Sequence, residues 1–224
     1  MAHHHSPKIV TDGLALALDA KNPKSFPGSG TTWSDLSGNQ TNATLYNGTA
    51  WDSNGWFTVD GVNDYIQIPN VASLKPANEL SVEMVIKAVS IKSGWSRLFG
   101  QDPYTYGQLL FLETGGEQIR ALHYVGTTEY RCNTPIRIST SVFTHVIFTF
   151  KTGDAIRSYF NGVASTTTAL PAGTFTYSGN PYLMGYTGAS WPNIQYALVR
   201  SYTKALSPAE VQQNYQAHRS RFGI

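Results

Sequence analysis

The stretch SVEMVIKA, Ser81–Ala88, decides the fold class because apolar and polar residues alternate along most of it. Its even-numbered positions, from Val82 to Ala88, are all apolar, whereas Ser81, Glu83 and Lys87 occupy odd-numbered positions. A period of two residues places the apolar side chains on one face of an extended chain and the polar ones on the other. The stretch therefore predicts a β-strand with one face in a core.

Runs of the same kind recur along the chain and predict roughly ten strands. Asn161-Gly162, between Phe160 and Val163, is typical of a tight hairpin turn. Strands do not alternate with helical patterns, so a parallel sheet is not expected, and antiparallel strands packed as a two-sheet sandwich are. The further runs are Leu14–Leu18, Trp56–Val59, Tyr65–Ile68, Leu109–Leu112, Ile119–Val125, Phe143–Phe150, Ile156–Phe160, Tyr182–Tyr186 and Ile194–Tyr202.

The last stretch, ALSPAEVQQNYQAHRSRFGI, predicts a short helix that begins at Ser207. The Ser207 hydroxyl suits an N-cap, Pro208 suits the first helical position, and Glu210 completes a capping box. Val211 and Tyr215 lie one turn apart, so we expect an apolar edge of the helix on the sandwich, with Phe222 fixing the tail beyond it.

Composition limits the classes of function. The 224 residues include 16 basic and 14 acidic side chains, and the charged fraction of 13% is about half of ordinary usage. The near balance of basic and acidic residues gives no indication of a nucleic-acid-binding surface. Cys132 is the only cysteine, which excludes an internal disulfide, and we expect it to be a buried small side chain.

Domain organisation is expected to be simple, with a tail at residues 1–8 and one domain at 9–224. His3–His5 are either native or the remnant of a purification tag. No apolar run near the N-terminus suits a signal peptide, and Leu14–Leu18 is too short to span a bilayer. Neither export by the usual route nor membrane insertion is therefore expected.

Four stretches resemble laminin-G-like domains of the concanavalin A-like lectin/glucanase superfamily, in the version found in tailed-phage virion structural proteins. They are Ile9–Asn39, Val59–Pro69 (VDGVNDYIQIP), FTHVIFTF at residues 143–150 with YFNGV at 159–163, and the terminal helix. The resemblance implies a jelly-roll sandwich with a convex sheet, a concave sheet and loops gathered at one rim. Members of the superfamily bind glycans, serve in adhesion or assembly, or hydrolyse polysaccharides, and the fold does not choose between these roles.

Aromatic residues in predicted loops are the candidates for glycan binding, because aromatic rings stack on sugar faces. Two clusters stand out, Trp95 with Arg97, and Tyr104 with Tyr106, and Trp191 is a further candidate. The alternative is that these aromatic residues fill a core or a subunit interface, where Tyr and Trp are also enriched. His145, in the middle of a predicted strand, is interpreted as a structural histidine.

Calcium is the one cofactor that the residues suggest. Asp60, Asn63 and Asp64 supply oxygen atoms at a turn that related modules use for Ca²⁺, and oxygen atoms are the ligands that this ion prefers. The alternative is that these side chains only build turns through hydrogen bonds to the backbone.

Catalysis is not expected. The related glucanases carry a Glu-x-Asp-x-x-Glu strand, and this pattern is absent. Glu113 and Glu117 come nearest to it, but Gly115-Gly116 between them favours a hairpin turn over a strand that holds two carboxylates. A glycoside hydrolase with an unrecognised carboxylate pair stays as the third hypothesis.

The leading hypothesis is a non-enzymatic virion structural protein of a tailed phage, either a capsid or tail decoration or a fibre component. It would be made in the host cytoplasm, lie on the virion surface, and associate with itself and with other virion proteins. Many copies would give weak attachment to cell-surface glycans useful avidity. The second hypothesis is a dedicated carbohydrate-binding module.

Overall fold

The computed structural model describes residues 7–90, 96–101, 109–112, 118–185 and 192–224, and for residues 109–112 the backbone alone. Strands predominate, and one α-helix, α1 (Pro208–Phe222), ends the chain. A short 3-10 helix covers Ala72–Leu74. The strands are β1 (Leu14–Asp19), β2 (Thr32–Trp33), β3 (Ala43–Tyr46), β4 (Ala50–Asp52), β5 (Trp56–Asp60), β6 (Tyr65–Ile68), β7 (Glu79–Ser90), β8 (Ser96–Gln101), β9 (Leu109–Leu112), β10 (Gln118–Val125), β11 (Thr128–Arg137), β12 (Thr144–Lys151), β13 (Ala155–Phe160), β14 (Val163–Ala169), β15 (Phe175–Thr176), β16 (Tyr182–Met184) and β17 (Asn193–Tyr202).

The strands form two antiparallel sheets, which confirms the predicted all-β sandwich with a C-terminal helix. Sheet A runs in the order β14-β13-β12-β7-β17-β5-β4, and β1 also pairs with β17. Sheet B runs in the order β11-β10-β9-β8-β16-β6-β3-β2, and β15 also pairs with β10. No helix in the described part of the chain is long and apolar enough to cross a membrane.

One apolar core fills the space between the sheets. As predicted, the even-numbered apolar residues of β7 point into it. Val82, Met84 and Ile86 are fully buried within this core. The opposite face of β7 differs from a solvated strand, because Ser81 and Glu83 are also fully buried. Something therefore covers the outer face of sheet A.

That cover is α1, whose start is confirmed at the predicted residue. The Ser207 side chain accepts a hydrogen bond from the Glu210 amide, and the Glu210 side chain accepts one from the Ser207 amide, so the capping box is complete. Phe222 packs against Phe143 with ring centroids 5.6 Å apart, as the tail prediction required. Between these ends the docked face is largely polar, because Asn214 and His218 are buried beside Val211.

Two other local expectations agree with the structure. Asn161 and Gly162 have φ angles of 48° and 78°, which confirms the tight turn between β13 and β14. Cys132 is buried, as expected. Between β1 and β2, Phe26 is buried and packs edge-on against Phe57 in the core.

Candidate functional site

The outer face of sheet A is closed over its middle by α1 and by the segment that precedes β1. Gln213 Nε2 donates to the Lys8 carbonyl at 2.7 Å, and the Val10 amide donates to Asn214 Oδ1 at 2.8 Å. These bonds tie the two ends of the chain together across the sheet. Beneath them Glu83 and His145 are 0% and 1% exposed, so this part of the sheet is buried while the helix is docked.

A buried polar cluster lies under the helix, and we call it the Glu83 cluster. Glu83 Oε1 accepts hydrogen bonds from His145 Nε2 at 2.9 Å and Arg200 Nη1 at 3.1 Å. Its Oε2 accepts from the Tyr202 hydroxyl at 3.1 Å and Asn214 Nδ2 at 2.9 Å. The members are Glu83, His145, Arg200, Tyr202, Asn214 and His218.

The electrostatics of this cluster favour a structural role. Burial alone would raise the pKa of Glu83, but the Arg200 charge and the His145 hydrogen bond outweigh it and hold the pKa at about 2. The carboxylate is therefore ionised, fully buried and supplied with four donors. This agrees with the interpretation of His145 as a structural histidine.

Aromatic rings at the other end of this face are also covered. Lys87 Nζ lies 5.6 Å from the centroid of the Trp56 ring and 5.2 Å from that of Phe143. An ammonium group over the indole occupies the surface on which a sugar would stack. These two parts of sheet A therefore offer a poor recognition surface.

The middle of the outer face of sheet B is buried too. Arg120 points outward because its neighbours Ile119 and Ala121 lie in the core. Arg97 aligns with Arg120 in the same cross-strand row through β9. Arg97 and Arg120 are only 2% and 7% exposed, so this part of the face is not open to solvent.

The β3–β6 end of sheet B is more open and carries a pair of tyrosines. Tyr46 and Tyr65 are directly opposite each other, and both point outward because Leu45 and Ile66 beside them lie in the core. Their ring centroids are 4.5 Å apart, with an angle of 6° between the ring planes. Both side chains are half-buried, so part of each remains exposed.

Neutral polar groups surround this pair. Thr44 on β3 and Gln67 on β6 are opposite each other, at the outward positions next to the tyrosines. Thr32 on β2 pairs with Thr44. Thr44 and Gln67 are half-buried, and Thr32 is exposed. Hydroxyl and amide groups both donate and accept hydrogen bonds, which suits sugar hydroxyls. We call this surface the tyrosine face, and its members are Thr32, Thr44, Tyr46, Tyr65 and Gln67.

The turn proposed for Ca²⁺ lies next to the tyrosine face and has strong internal bonds. Asp60 Oδ1 accepts from the Val62 amide at 2.8 Å and the Asn63 amide at 3.3 Å, and Asn47 Nδ2 donates to the Asn63 carbonyl at 2.9 Å. Burial, and then the Asp60 charge, raise the pKa of Asp64. These bonds suffice to build the turn, and no cluster of three or more metal-ligating side chains occurs in the described residues. The calcium site stays a prediction.

The loop residues chosen from the sequence are placed as follows. Trp95, Tyr104, Tyr106 and Trp191 lie outside the described residues, as do Glu113 and Glu117. The sequence predicts Arg97 in a loop with Trp95, but this residue lies within β8 and is buried. The sequence prediction misses the tyrosine face because Tyr46 and Tyr65 lie on strands, whereas the predicted aromatic candidates lie in loops. An available signal was the outward position of Tyr46 and Tyr65 on strands that alternate.

Comparison with known proteins identifies a family and a fold. A laminin G family model, described as concanavalin A-like lectin/glucanases superfamily, matches residues 60–212. Among solved structures, the binding domain of Paraclostridial Mosquitocidal Protein 1 aligns at 15% identity with a TM-score of 0.71, over 92% of this chain and 52% of that chain.

Two other similar structures differ in what they do. The binding domain of Botulinum neurotoxin serotype G aligns at 13% identity and a TM-score of 0.72, over 92% of this chain and 51% of that one. Trypanosoma rangeli sialidase aligns at 16% identity and a TM-score of 0.65, over 95% and 34%. This chain thus spans about half of the toxin domains and a third of the sialidase. No curated protein gives a significant match.

Proposed function

The chain belongs to the concanavalin A-like lectin/glucanases superfamily, and on that premise we propose that it is a glycan-binding domain whose recognition surface is the tyrosine face. The observation that carries the proposal is the parallel stack of Tyr46 and Tyr65, with rings 4.5 Å apart on the open end of sheet B. The half-buried pair offers apolar ring surface beside two phenol hydroxyl groups, which suits the apolar face and the hydroxyls of a pyranose.

The charges around this surface favour a neutral ligand. The five residues of the tyrosine face include no Asp, Glu, Lys, Arg or His, and the adjoining turn carries two carboxyl groups, Asp60 and Asp64. A sugar with its own carboxylate would meet repulsion from that turn and no cation on the face itself. We therefore propose neutral hexoses as the ligand class, rather than sialic or uronic acids.

The comparisons support a binding role but do not identify the ligand. Two of the similar structures are binding domains of toxins, and likeness at this level of identity concerns the fold. A sialidase also shares the fold, so hydrolysis must be tested directly. The non-enzymatic role is part of the proposal, and polysaccharide cleavage is the alternative outcome.

We also propose that the domain acts in many copies on a particle surface, as a capsid or tail decoration or fibre component of a tailed phage. Support comes from the resemblance of Ile9–Asn39 to such proteins and from the low charged fraction of 13%. A shallow face of five side chains binds weakly, and repetition would raise its avidity. Association with other copies and with virion proteins is the partner expectation that goes with this proposal.

A glycan array with the wild type and Tyr65→Ala tests the binding proposal. We expect saturable binding to neutral oligosaccharides and a loss of about tenfold on removal of one stacked ring. Tyr124→Ala is the matched control, because Tyr124 is a half-buried outward tyrosine at the far end of the same sheet. Binding that prefers sialylated glycans, or that Tyr65→Ala leaves unchanged, would contradict the proposal.

The same ligands test for catalysis. Incubation of the wild type with each bound oligosaccharide should leave it intact by mass spectrometry. Release of shorter products would show that the domain is a hydrolase and would contradict the proposed non-enzymatic role. Loss of that release in Glu113→Gln would then implicate the carboxylate pair considered from the sequence.

A further inference from the structure

Within the Glu83 cluster, one hydrogen bond fixes the protonation state of a histidine. Arg200 Nη1 lies 2.7 Å from His218 Nε2. A guanidinium group has only donors, so the histidine must offer a lone pair at Nε2. His218 is therefore neutral while α1 is docked, with its proton on Nδ1.

A positive charge on His218 would be poorly solvated, because the side chain is buried beside Arg200. His218 and Arg200 are 6% and 5% exposed. The charged and titratable groups that face this pair come from every element packed around it. They are Glu83 of β7, His145 of β12, Tyr202 of β17, and Arg221 of α1, which is itself paired with Asp19 of β1 at 2.6 Å.

We propose that His218 is a pH-sensitive switch that releases α1 from sheet A. Protonation at Nε2 turns an acceptor into a donor, so the bond to Arg200 is lost and two cations face each other across 2.7 Å. Undocking of the helix lets both groups reach water. The same movement frees Asn214 from Glu83 and opens the outer face of sheet A.

The charge environment supports the same direction. Burial, and then the Arg200 charge, hold the pKa of His218 at about 3, below the ordinary value of 6.5, although Glu83 acts in the opposite sense. A histidine with a lowered pKa in the docked state weakens docking as the pH falls below about 6.5, until it reaches the docked pKa. Between pH 7 and pH 5 the docking equilibrium should fall about 25-fold, since one proton is taken up on release.

Amide hydrogen exchange of residues 208–222, corrected for the intrinsic rate at each pH, measures this release. In the wild type we expect protection of α1 to fall about 25-fold from pH 7 to pH 5. His218→Gln keeps an acceptor for Arg200 but does not titrate, so its protection should change less than about twofold. Arg219→Gln, which removes a charge from the exposed side of the same turn, should behave like the wild type.

Two results would overturn the proposal. One is protection of α1 that does not depend on pH in the wild type, and the other is an unchanged fall in His218→Gln. Should that variant fail to fold, an NMR titration of His218 in the wild type decides the question. A pKa near 6.5 would refute the switch, whereas no titration above pH 5 in the docked state would support it.

Discussion

The outer faces of sheets A and B both carry polar and aromatic side chains on alternating strands, and they differ in what covers them. On sheet A, α1 buries the Glu83 cluster, and every oxygen of that carboxylate is bonded. On sheet B, Tyr46 and Tyr65 stack beside hydroxyl and amide groups that remain partly exposed. The same alternation can therefore produce a buried polar cluster or a partly exposed surface, and the element that covers the face decides which.

The largest effect should follow from breaking the cluster on sheet A. Glu83→Ala leaves Arg200 buried without its carboxylate, and we expect the free energy of unfolding to fall by about 3–5 kcal/mol in denaturant titrations. Asp154→Ala is the matched control, because Asp154 pairs with Arg157 on the same sheet with about 40% of its side chain exposed. That variant should lose less than about 1 kcal/mol.

Equal losses in the two variants would remove the distinction between the buried Glu83 cluster and an exposed ion pair on the same sheet. It would mean that the Glu83 cluster contributes no more than a surface ion pair. The covered face would then owe its stability to Val211, Phe222 and the other apolar contacts of α1.

An intermediate effect should come from acid acting on the core of sheet B. Burial holds the pKa of His123 at about 3, although the Tyr124 backbone opposes it, and the ring stacks on Phe175 with centroids 4.2 Å apart. Because the unfolded chain binds this proton near pH 6.5, stability should fall by about 1.4 kcal/mol per pH unit below that value. From pH 7 to pH 5 the loss is about 2 kcal/mol for this residue.

His123→Phe isolates this contribution, since a phenyl ring fits the aromatic surroundings and does not titrate. Thermal or denaturant unfolding between pH 7 and pH 5 should show a smaller slope in the variant than in the wild type. His218 would still contribute its own share in both. Parallel slopes would show that His123 is protonated or solvated in the folded protein.

The smallest effect should come from the helix cap. Ser207→Ala removes the acceptor for the Glu210 amide, and we expect a loss of about 1 kcal/mol. Ser207→Gly should lower the free energy of unfolding by only a few tenths of a kcal/mol. A change of several kcal/mol would show that the cap, rather than the Glu83 cluster, holds α1 on sheet A.

Local signals account for what the sequence predicted well. Ser207 and Glu210 are three residues apart, and the apolar positions of β7 are two apart, so short-range rules suffice for the helix start and the core face. The burial of Glu83 could not be predicted in this way. Its partners Arg200 and Asn214 lie 117 and 131 residues away, and only the sheet order brings them together.

The sequence does not reveal the tyrosine face for a related reason. Tyr46 and Tyr65 meet because β3 pairs with β6, which alternation within each strand does not reveal. The sequence predicts a cluster of Arg97 with Trp95 because the two are close in sequence. In the structure Arg97 lies within β8, which begins at Ser96, and belongs to a buried cross-strand row. Pairing between strands is a long-range property, and it decides which outward side chains share a surface.

Chemical-shift mapping by NMR with a neutral oligosaccharide tests the central claim most directly. We predict saturable shifts at the amides of Tyr46, Tyr65 and Gln67, with no change at residues 208–222 or at Glu83. Saturable shifts confined to sheet A or α1, with none at the tyrosine face, would contradict the account.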